Sequence, residues 1–253
     1  MKSLIWRIDE QGASLRLGRF SAKVELHRPE RGLIDLEVGP FALAARSLLG
    51  VGLPPLAEGV ERGVLECYQR GPDLVAAYRE SQSWPVRVDV LWRAISPGEA
   101  LGLVAGMDVI VSVRTELLDS WPELAVRSEL APVETLRLVD VEAARFQPCS
   151  RESRSPLAVS RGEPGCFAFR LPDVPLTYAE MGHPADFFGA VVAESGAGPE
   201  WLEVRHRLFA ERLEKGVILR SRVRGAVVDR AEDLRSIAAC YAAFAAAEPP
   251  LGT

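Results

Sequence analysis

The chain of 253 residues is 48% hydrophobic and 26% charged, a composition typical of a soluble globular protein and not of a disordered or fibrous one. Its length suits a single β-sandwich domain over residues 1–253, and its net charge of −5 argues against a surface that binds nucleic-acid phosphates. No apolar run reaches the ~18 residues of a membrane span, and no secretion signal is evident. The sequence therefore predicts a cytoplasmic protein without nucleic-acid or membrane partners.

Cysteines and histidines are few, and neither type shows the close spacing of a metal motif. The four cysteines are Cys67, Cys149, Cys166 and Cys240. We expect these thiols to be reduced, and we expect neither a bound metal nor a cofactor. The sequence also lacks a nucleophile elbow, a phosphate-binding loop and a calcium-binding loop, so the chemistry of those motifs is disfavoured.

Alternation of apolar and polar residues dominates the chain and predicts half-buried β-strands. The predicted strands are, in order, SAKVELHR, GLIDLEV, VLECYQ, LVAAYRE, VRVDVLWRA, MDVIVSVRT, ELAVRSEL, ETLRLVDVEAARF, PLAVS, GCFAFRL, PLTYAEM, FFGAVVAE, EWLEVRHRLFAE and GVILRSRVRGAVV. In VRVDVLWRA the three valines and Trp92 share one face, whereas Arg87, Asp89 and Arg93 share the other. A dozen or so closely spaced strands indicate a large antiparallel β-sandwich.

Three segments depart from this alternation. Residues 40–58 are expected to hold a short helix followed by a proline-rich loop, and the polar segment 146–156 either separates two halves of the sandwich or forms one exposed loop. In residues 230–248 apolar side chains recur at helical spacing, and Asp229 is the expected N-cap. These apolar residues are Leu234, Ile237, Tyr241 and Phe244. The sequence predicts a C-terminal amphipathic helix packed on the sheet.

The stretch TYAEMGHPADFF places Glu180, His183 and Asp186 three residues apart, at the end of a predicted strand. If Asp186 orients the imidazole, His183 is free to exchange a proton with a substrate. The alternative is an ordinary turn in which His183 packs locally and Asp186 caps the backbone.

His206 lies among aliphatic residues on the inward face of LEVRHRLF, so it belongs either to the core or to a pocket. The tentative catalytic residues are Glu180, His183 and His206. A metal site built from the two histidines with Glu180 or Asp186 is the remaining, less favoured use of these side chains.

Arg220, Arg222 and Arg224 share one face of GVILRSRVRG. Other predicted strands supply Arg87, Arg93, Arg127, Arg205 and Arg207. If these strands are neighbours, the arginines form either a solvated outer face with cross-strand ion pairs or a shallow groove for an anionic or sugar ligand. The tentative ligand-binding residues are Asp186, Arg205, Arg220 and Arg222.

Two functions follow from this pattern. The first is a non-catalytic module that binds a sugar, an anionic small molecule or another protein, with a homodimer as one assembly. The second rests on a resemblance of the chain length and strand density to the galactose mutarotase-like supersandwich. That resemblance implies a carbohydrate-active enzyme of the aldose epimerase type, with a His/Glu acid-base pair on a concave sheet.

Overall fold

The computed structural model describes residues 5–54, 63–81, 84–98, 102–149 and 156–248. Within these residues it contains nineteen β-strands and one α-helix. The N-terminal strands are β1 (Trp6–Ile8), β2 (Ala13–Leu17), β3 (Phe20–Val24), β4 (Leu33–Val38), β5 (Phe41–Ala42) and β6 (Ala45–Gly52). The central strands are β7 (Val64–Arg70), β8 (Asp73–Tyr78), β9 (Val86–Ile95), β10 (Leu103–Thr115), β11 (Leu124–Leu130), β12 (Glu134–Asp140) and β13 (Arg145–Pro148). The C-terminal elements are β14 (Leu157–Ser160), β15 (Cys166–Arg170), β16 (Leu176–Gly182), β17 (Gly189–Glu194), β18 (Leu202–Leu208), β19 (Ile218–Asp229) and α1 (Asp233–Ala246).

The strands form two sheets, and every pairing between them is antiparallel. The first sheet has ten strands in the order β1-β2-β3-β4-β6-β11-β18-β17-β14, with β5 paired to β4. The second has nine strands in the order β13-β12-β15-β16-β19-β10-β9-β8-β7. The mainly antiparallel architecture predicted from the alternation is therefore confirmed.

Side-chain alternation determines which face of each strand enters the core between the two sheets. In β9, Val86, Val88, Val90 and Trp92 are at most 2% exposed, as the alternation predicts. The partly exposed residues between them point to the outer face of the nine-stranded sheet. The long strand β10 follows the same rule through Val109, Val111 and Val113, and these apolar faces build one continuous core.

The C-terminal helix covers part of the outer face of the nine-stranded sheet and creates a second apolar core. The helix contributes Ile237, Tyr241 and Phe244, which pack on Ala179 and Met181 of the sheet. The expectation that Asp229 caps this helix is wrong, because the helix begins at Asp233 after a 3₁₀ turn over residues 230–232. The Asp229 side chain makes no capping hydrogen bond even to that turn.

The short helix expected in residues 40–58 is not found in the described part of this segment, which holds β-strands instead. Within this segment the structure describes residues 40–54, which hold the short strand β5 and the eight-residue strand β6. A register irregularity between β6 and β11 disturbs the alternation, and Leu49 has a positive φ of 58° there. Leu48 and Leu49 are consequently both buried, and two adjacent buried residues conceal a strand from pattern analysis.

The helix among the described residues is not long and apolar enough to cross a membrane. Of the segment 146–156, residues 150–155 lie outside the described residues, so its role as a divider of the sandwich stays a prediction.

Candidate ligand-binding groove

Glu180 and His206 meet in the core between the two sheets. Glu180 projects from β16 of the nine-stranded sheet, and His206 projects from β18 of the ten-stranded sheet. His206 Nε2 lies 3.2 Å from Glu180 Oε1, and both residues are 0% exposed. The edges of Phe167 and Phe187 enclose the imidazole, each with its ring centroid 6.1 Å from that of His206.

Two hydroxyl groups complete this contact into a set that we call the buried quartet: Ser128, Tyr178, Glu180 and His206. The Ser128 hydroxyl donates a hydrogen bond to Glu180 Oε2, and the Tyr178 hydroxyl donates another at 2.7 Å. Burial and the charge of Glu180 raise the pKa of Tyr178 well above its usual value, so the phenol keeps the proton that it donates. The quartet joins the two sheets through the Ser128–Glu180 hydrogen bond and the Glu180–His206 contact, and both are closed to solvent.

His183 lies apart from the quartet, beside the last turn of α1. Its ring contacts Phe244 edge-on at a centroid distance of 5.1 Å. Nδ1 accepts a hydrogen bond from the backbone N–H of Ala185, whereas Asp186 Oδ2 is 3.9 Å away. Asp186 instead accepts a hydrogen bond from Arg222 Nε at 2.9 Å. Asp186 therefore anchors Arg222, and it does not hydrogen-bond the imidazole.

Arg222 also contacts the residues that follow the helix through Nη1, whereas its buried Nη2 has no hydrogen-bond partner in the described residues. Its guanidinium donates to the carbonyl oxygens of Ala247 and Glu248, at 3.4 and 3.2 Å. Arg222 is only 4% exposed, so this contact fastens the chain end to the sheet. Within the described residues, no three His, Cys, Asp or Glu side chains come together as ligands for a metal ion.

The arginines noted in the sequence divide between the two sheets. Arg205 and Arg207 lie on β18 and face solvent from the ten-stranded sheet, where Arg207 pairs with Glu123 at 3.0 Å. Arg220, Arg222 and Arg224 lie on β19 of the nine-stranded sheet, two strands from β9 with its Arg87 and Arg93. The condition that these strands be neighbours is therefore not met: β9 and β19 lie in one sheet on either side of β10, and β18 belongs to the other sheet.

A row of alternating charges crosses five strands of the nine-stranded sheet. The strand register aligns Arg70, Asp73, Arg93, Asp108 and Arg224 in this order. Asp73 accepts two hydrogen bonds from Arg93, at 2.8 and 2.9 Å, and Asp108 accepts two from Arg224, at 2.6 and 2.9 Å. Because each carboxylate receives a two-pronged guanidinium, this row, which we call the charge ladder, largely neutralises itself.

Beside the charge ladder, the part of the sheet that α1 leaves open forms a groove of about 270 Å³. Its apolar floor comes from Val75, Leu91 and Ile110, which are aligned across three adjacent strands. Tyr68 extends the floor on β7. The charged residues that line the groove are Glu66, Arg70, Arg87, Asp89, Arg93, Arg114 and Arg220. Even with Asp73 of the charge ladder counted against Arg70 and Arg93, the five arginines outnumber the carboxylates, so the groove carries excess positive charge in a protein whose net charge is −5. We call it the arginine groove.

Arg87 and Arg114 carry the strongest electrostatic signal in the arginine groove. They are directly opposed in the β9–β10 register, and like charges at such positions repel each other. Arg87 has a distant carboxylate, Asp89, at 3.7 Å, and its buried Nε has no hydrogen-bond partner. In the described part of the chain Arg114 has no carboxylate within ion-pair distance. An anion between the two guanidinium groups would relieve this repulsion.

Some groove residues were named from the sequence and others were not. Arg87, Asp89 and Arg220 belong to the faces that the alternation indicated. Arg114 was missed, although its outward position follows from the same alternation in MDVIVSVRT. Glu66 and Tyr68 reach the groove only because β7 returns beside β8, and that pairing is a tertiary fact.

A larger depression of about 1370 Å³ lies over the N-terminal strands. Three of its cations already have carboxylate partners: Lys23 with Asp35, Arg31 with Glu25 and Arg46 with Glu129. Its described strand pairs do not place two cations directly opposite each other, whereas the arginine groove has the opposed pair Arg87 and Arg114, so we place the candidate site in the smaller groove.

Comparison of the fold with solved structures reveals clear relatives in shape. A candidate aldose 1-epimerase from Escherichia coli K12 superposes with a TM-score of 0.60 at 10% identity, covering 85% of this chain and 98% of its own. A candidate mutarotase from Salmonella typhimurium gives 0.56 at 11% identity, with coverage of 89% and 93%. An aldose epimerase homologue from C. elegans gives 0.52 at 8% identity, with coverage of 90% and 99%.

Sequence comparison adds nothing to this likeness, because no protein-family model and no curated protein matches the chain. At identities of 8–11% the superpositions concern the fold alone. Two antiparallel sheets with one C-terminal helix, matched over most of both chains, give this protein the galactose mutarotase-like fold.

Proposed function

We propose that the protein is a carbohydrate-binding module that holds an acidic sugar in the arginine groove without converting it. The observation that carries the proposal is the opposed pair Arg87 and Arg114 at one end of a groove with an apolar floor. A carboxylate or phosphate between two guanidinium groups receives charge-assisted hydrogen bonds, which are about twice as strong as neutral ones.

The rest of the arginine groove suits a single sugar ring. A volume of about 270 Å³ is small for a drug-sized ligand, which usually occupies ~300–1,000 Å³. The apolar C–H face of a ring can lie on Leu91 and Ile110, with Tyr68 beside them. Ser112 and Asp89 are aligned across the next row of the same face, where they can hydrogen-bond ring hydroxyls. Uronic acids and hexose phosphates are the ligand classes that match both the charge and the size.

Support for a sugar in place of another anion comes from the fold. The solved structures that share it include proteins described as aldose epimerases and mutarotases, whose names refer to sugar substrates. This is an argument from architecture, and residues that define an epimerase site are not carried over from it.

The proposal favours binding over turnover because of where the acid-base candidates lie. General acid-base catalysis requires the side chain to reach the substrate directly or through one water molecule. Glu180 and His206 are enclosed between the sheets, and His183 is packed against α1. The arginine groove is lined by carboxylates and guanidinium groups without a histidine among its described lining residues.

The test is isothermal titration calorimetry of the purified protein with glucuronate, galacturonate and glucose 6-phosphate, with the neutral parent sugars as comparison ligands. We expect binding of at least one acidic sugar, and affinity that falls as the salt concentration rises. Replacing Arg114 by Gln should weaken that binding by about tenfold or more, because a charge-assisted hydrogen bond contributes roughly 1.5–3 kcal/mol.

The matched control is Arg205→Gln, since Arg205 is an exposed arginine on the other sheet. That variant should bind like the wild type. Equal losses in both variants would indicate non-specific attraction to surface charge, and the absence of binding by any acidic sugar would refute the proposal. Conversion of a bound sugar, detected by NMR of the recovered ligand, would instead support the carbohydrate-active enzyme.

A further inference from the structure

Exposed apolar side chains collect at one end of the sandwich. Among the described residues eight large hydrophobic side chains are exposed; four of them lie on two chain connections, and a fifth begins β19 directly after one of these. These five are Leu117, Leu118, Trp121, Val217 and Ile218. Leu118 is 81% exposed and Trp121 is 64% exposed, so both extend into solvent. We call this group the end patch.

The end patch is built on a braced framework. One connection runs from β10 to β11 and the other from β18 to β19, and both cross between the two sheets. Ser120 and Leu213 join the connections through reciprocal backbone hydrogen bonds of 3.0 and 2.9 Å. Ion pairs reinforce this joint, with Arg212 to Asp119 at 2.9 Å and Lys215 to Glu116 at 3.0 Å. A pre-organised surface binds a partner with less loss of conformational entropy.

We propose that the end patch is the interface through which two copies of this chain associate about a two-fold axis. The five side chains of the end patch together expose on the order of several hundred Å², and monomeric proteins rarely expose a contiguous apolar patch above a few hundred Å². Two such patches in contact would bury on the order of 1,000 Å² with their rims, which is near the lower limit of a specific interface. Tryptophan, here Trp121, is a preferred anchor of such interfaces.

The charges around the end patch favour a second copy over other partners. Its rim carries cations and carboxylates that are already paired, including Arg212 with Asp119 and Lys215 with Glu116. A nearly neutral rim of mixed sign attracts neither a strongly charged protein nor an anionic membrane, which requires clustered cations. In a two-fold arrangement the same surface meets itself, and a rim of alternating sign can place each cation opposite a carboxylate.

Association would also affect the arginine groove, because Ile218 belongs to both surfaces. The partner would then form a wall at the Arg114 end, since Arg114 and Ile218 are opposed in the strand register. This consequence depends on the proposed function, whereas the association itself does not.

The experiment is sedimentation velocity of the full chain over a wide concentration range, for the wild type, Leu118→Asp and Trp121→Ser. The wild type should dimerise, and each substitution should raise the dimer dissociation constant by about 30-fold or more. Both side chains are exposed, so circular dichroism should show that the variants remain folded.

Val133→Asp is the matched control, because Val133 is 61% exposed on the connection from β11 to β12, away from the end patch. This variant should dimerise like the wild type. A wild type that stays monomeric throughout, or a dimer that survives both patch substitutions, overturns the proposal. A monomer that co-sediments with phosphatidylcholine vesicles would overturn it in favour of a lipid surface.

Discussion

His183 is 4% exposed, and its environment favours the neutral imidazole. Burial lowers its pKa, and the nearby charge of Arg222 lowers it further, against the opposing influence of Asp186 and the backbone carbonyls of Phe244 and Ala247. The folded chain therefore resists protonation at a site that the unfolded chain protonates below pH ~6.5. This contact between a strand end and the helix end is thus expected to weaken in acid.

A pH dependence of stability follows from this shift. Between the lowered pKa of the folded state and the unfolded value of ~6.5, the unfolded chain binds more protons, so the free energy of unfolding falls as the pH falls. Above that window the contribution is constant. Urea denaturation measures the free energy of unfolding of the wild type and of His183→Gln at neutral pH and at pH ~5. Between these two pH values, the free energy of unfolding should fall by less in the variant than in the wild type. His27→Gln, at an exposed position, is the control. If this variant reduced the pH dependence of the free energy of unfolding as much as His183→Gln does, His183 would not be its source.

At the scale of elements, the C-terminal helix was predicted from its spacing and its start was not. Ile237, Tyr241 and Phe244 are buried as the 3.6-residue period indicates, because the helix packs one face on the sheet. The boundary depends on Asp233, which receives hydrogen bonds from Arg170, Thr177 and the N–H of Leu234. Arg170 and Thr177 are more than 50 residues away in the sequence, so local pattern could not select Asp233 over Asp229.

Asp233→Asn should lower the free energy of unfolding by roughly 1.5–3 kcal/mol, because Arg170 loses a two-pronged carboxylate partner. Burial opposes ionisation of Asp233, yet the bonds from Arg170 and Thr177 lower its pKa on balance, so the stabilisation is present near neutral pH. Asp229→Asn, at the exposed residue that the sequence suggested, should change stability by less than about 0.5 kcal/mol. If chemical denaturation showed the same fall in the free energy of unfolding for both variants, the helix start would not depend on Asp233.

Strand prediction failed and succeeded for a common physical reason. In β9 an unbroken two-residue period places valines inward and charges outward, and the structure agrees. In β6 the irregular register beside β11 puts Leu48 and Leu49 both inside, so the period that identifies a strand is lost. The backbone N–H of Leu49 donates to Ser128, which links this irregularity to the buried quartet.

At the scale of the whole molecule, the buried quartet is a polar connection between the two sheets. Glu180 receives hydrogen bonds from Ser128 on the opposite sheet and from Tyr178 on its own strand, and it contacts His206 on the opposite sheet. A buried carboxyl group needs such partners, because a polar group in the core without a hydrogen bond is destabilising. We therefore regard the quartet as a determinant of how the sheets are aligned.

Glu180→Ala should lower the free energy of unfolding by about 2–5 kcal/mol, because the buried hydroxyl groups of Ser128 and Tyr178 lose their acceptor, at roughly 1–3 kcal/mol for each group left unsatisfied. Chemical denaturation followed by tryptophan fluorescence measures this loss through the buried Trp92. Glu203→Ala, on the outward face of β18, is the comparison and should cost less than about 0.5 kcal/mol. A small loss for Glu180→Ala would refute the structural role of the quartet.

The sequence by itself determined the fold class and the faces of the regular strands. Period-two alternation requires half-buried strands, and a helical period with many alanines requires one helix, whatever the long-range arrangement. Because side chains alternate strictly between the faces of a strand, Arg87 and Asp89 could be assigned to an outer face before any pairing was known.

Only the tertiary structure decided which of these faces meet. Strand order placed Arg114 opposite Arg87 and separated Arg205 from both, and neither relation follows from spacing along the chain. The same packing enclosed Glu180 with His206 while carrying His183 to the helix end. The physical reason is that non-local strand pairing sets these distances, and pairing depends on burial of whole faces rather than on any short motif.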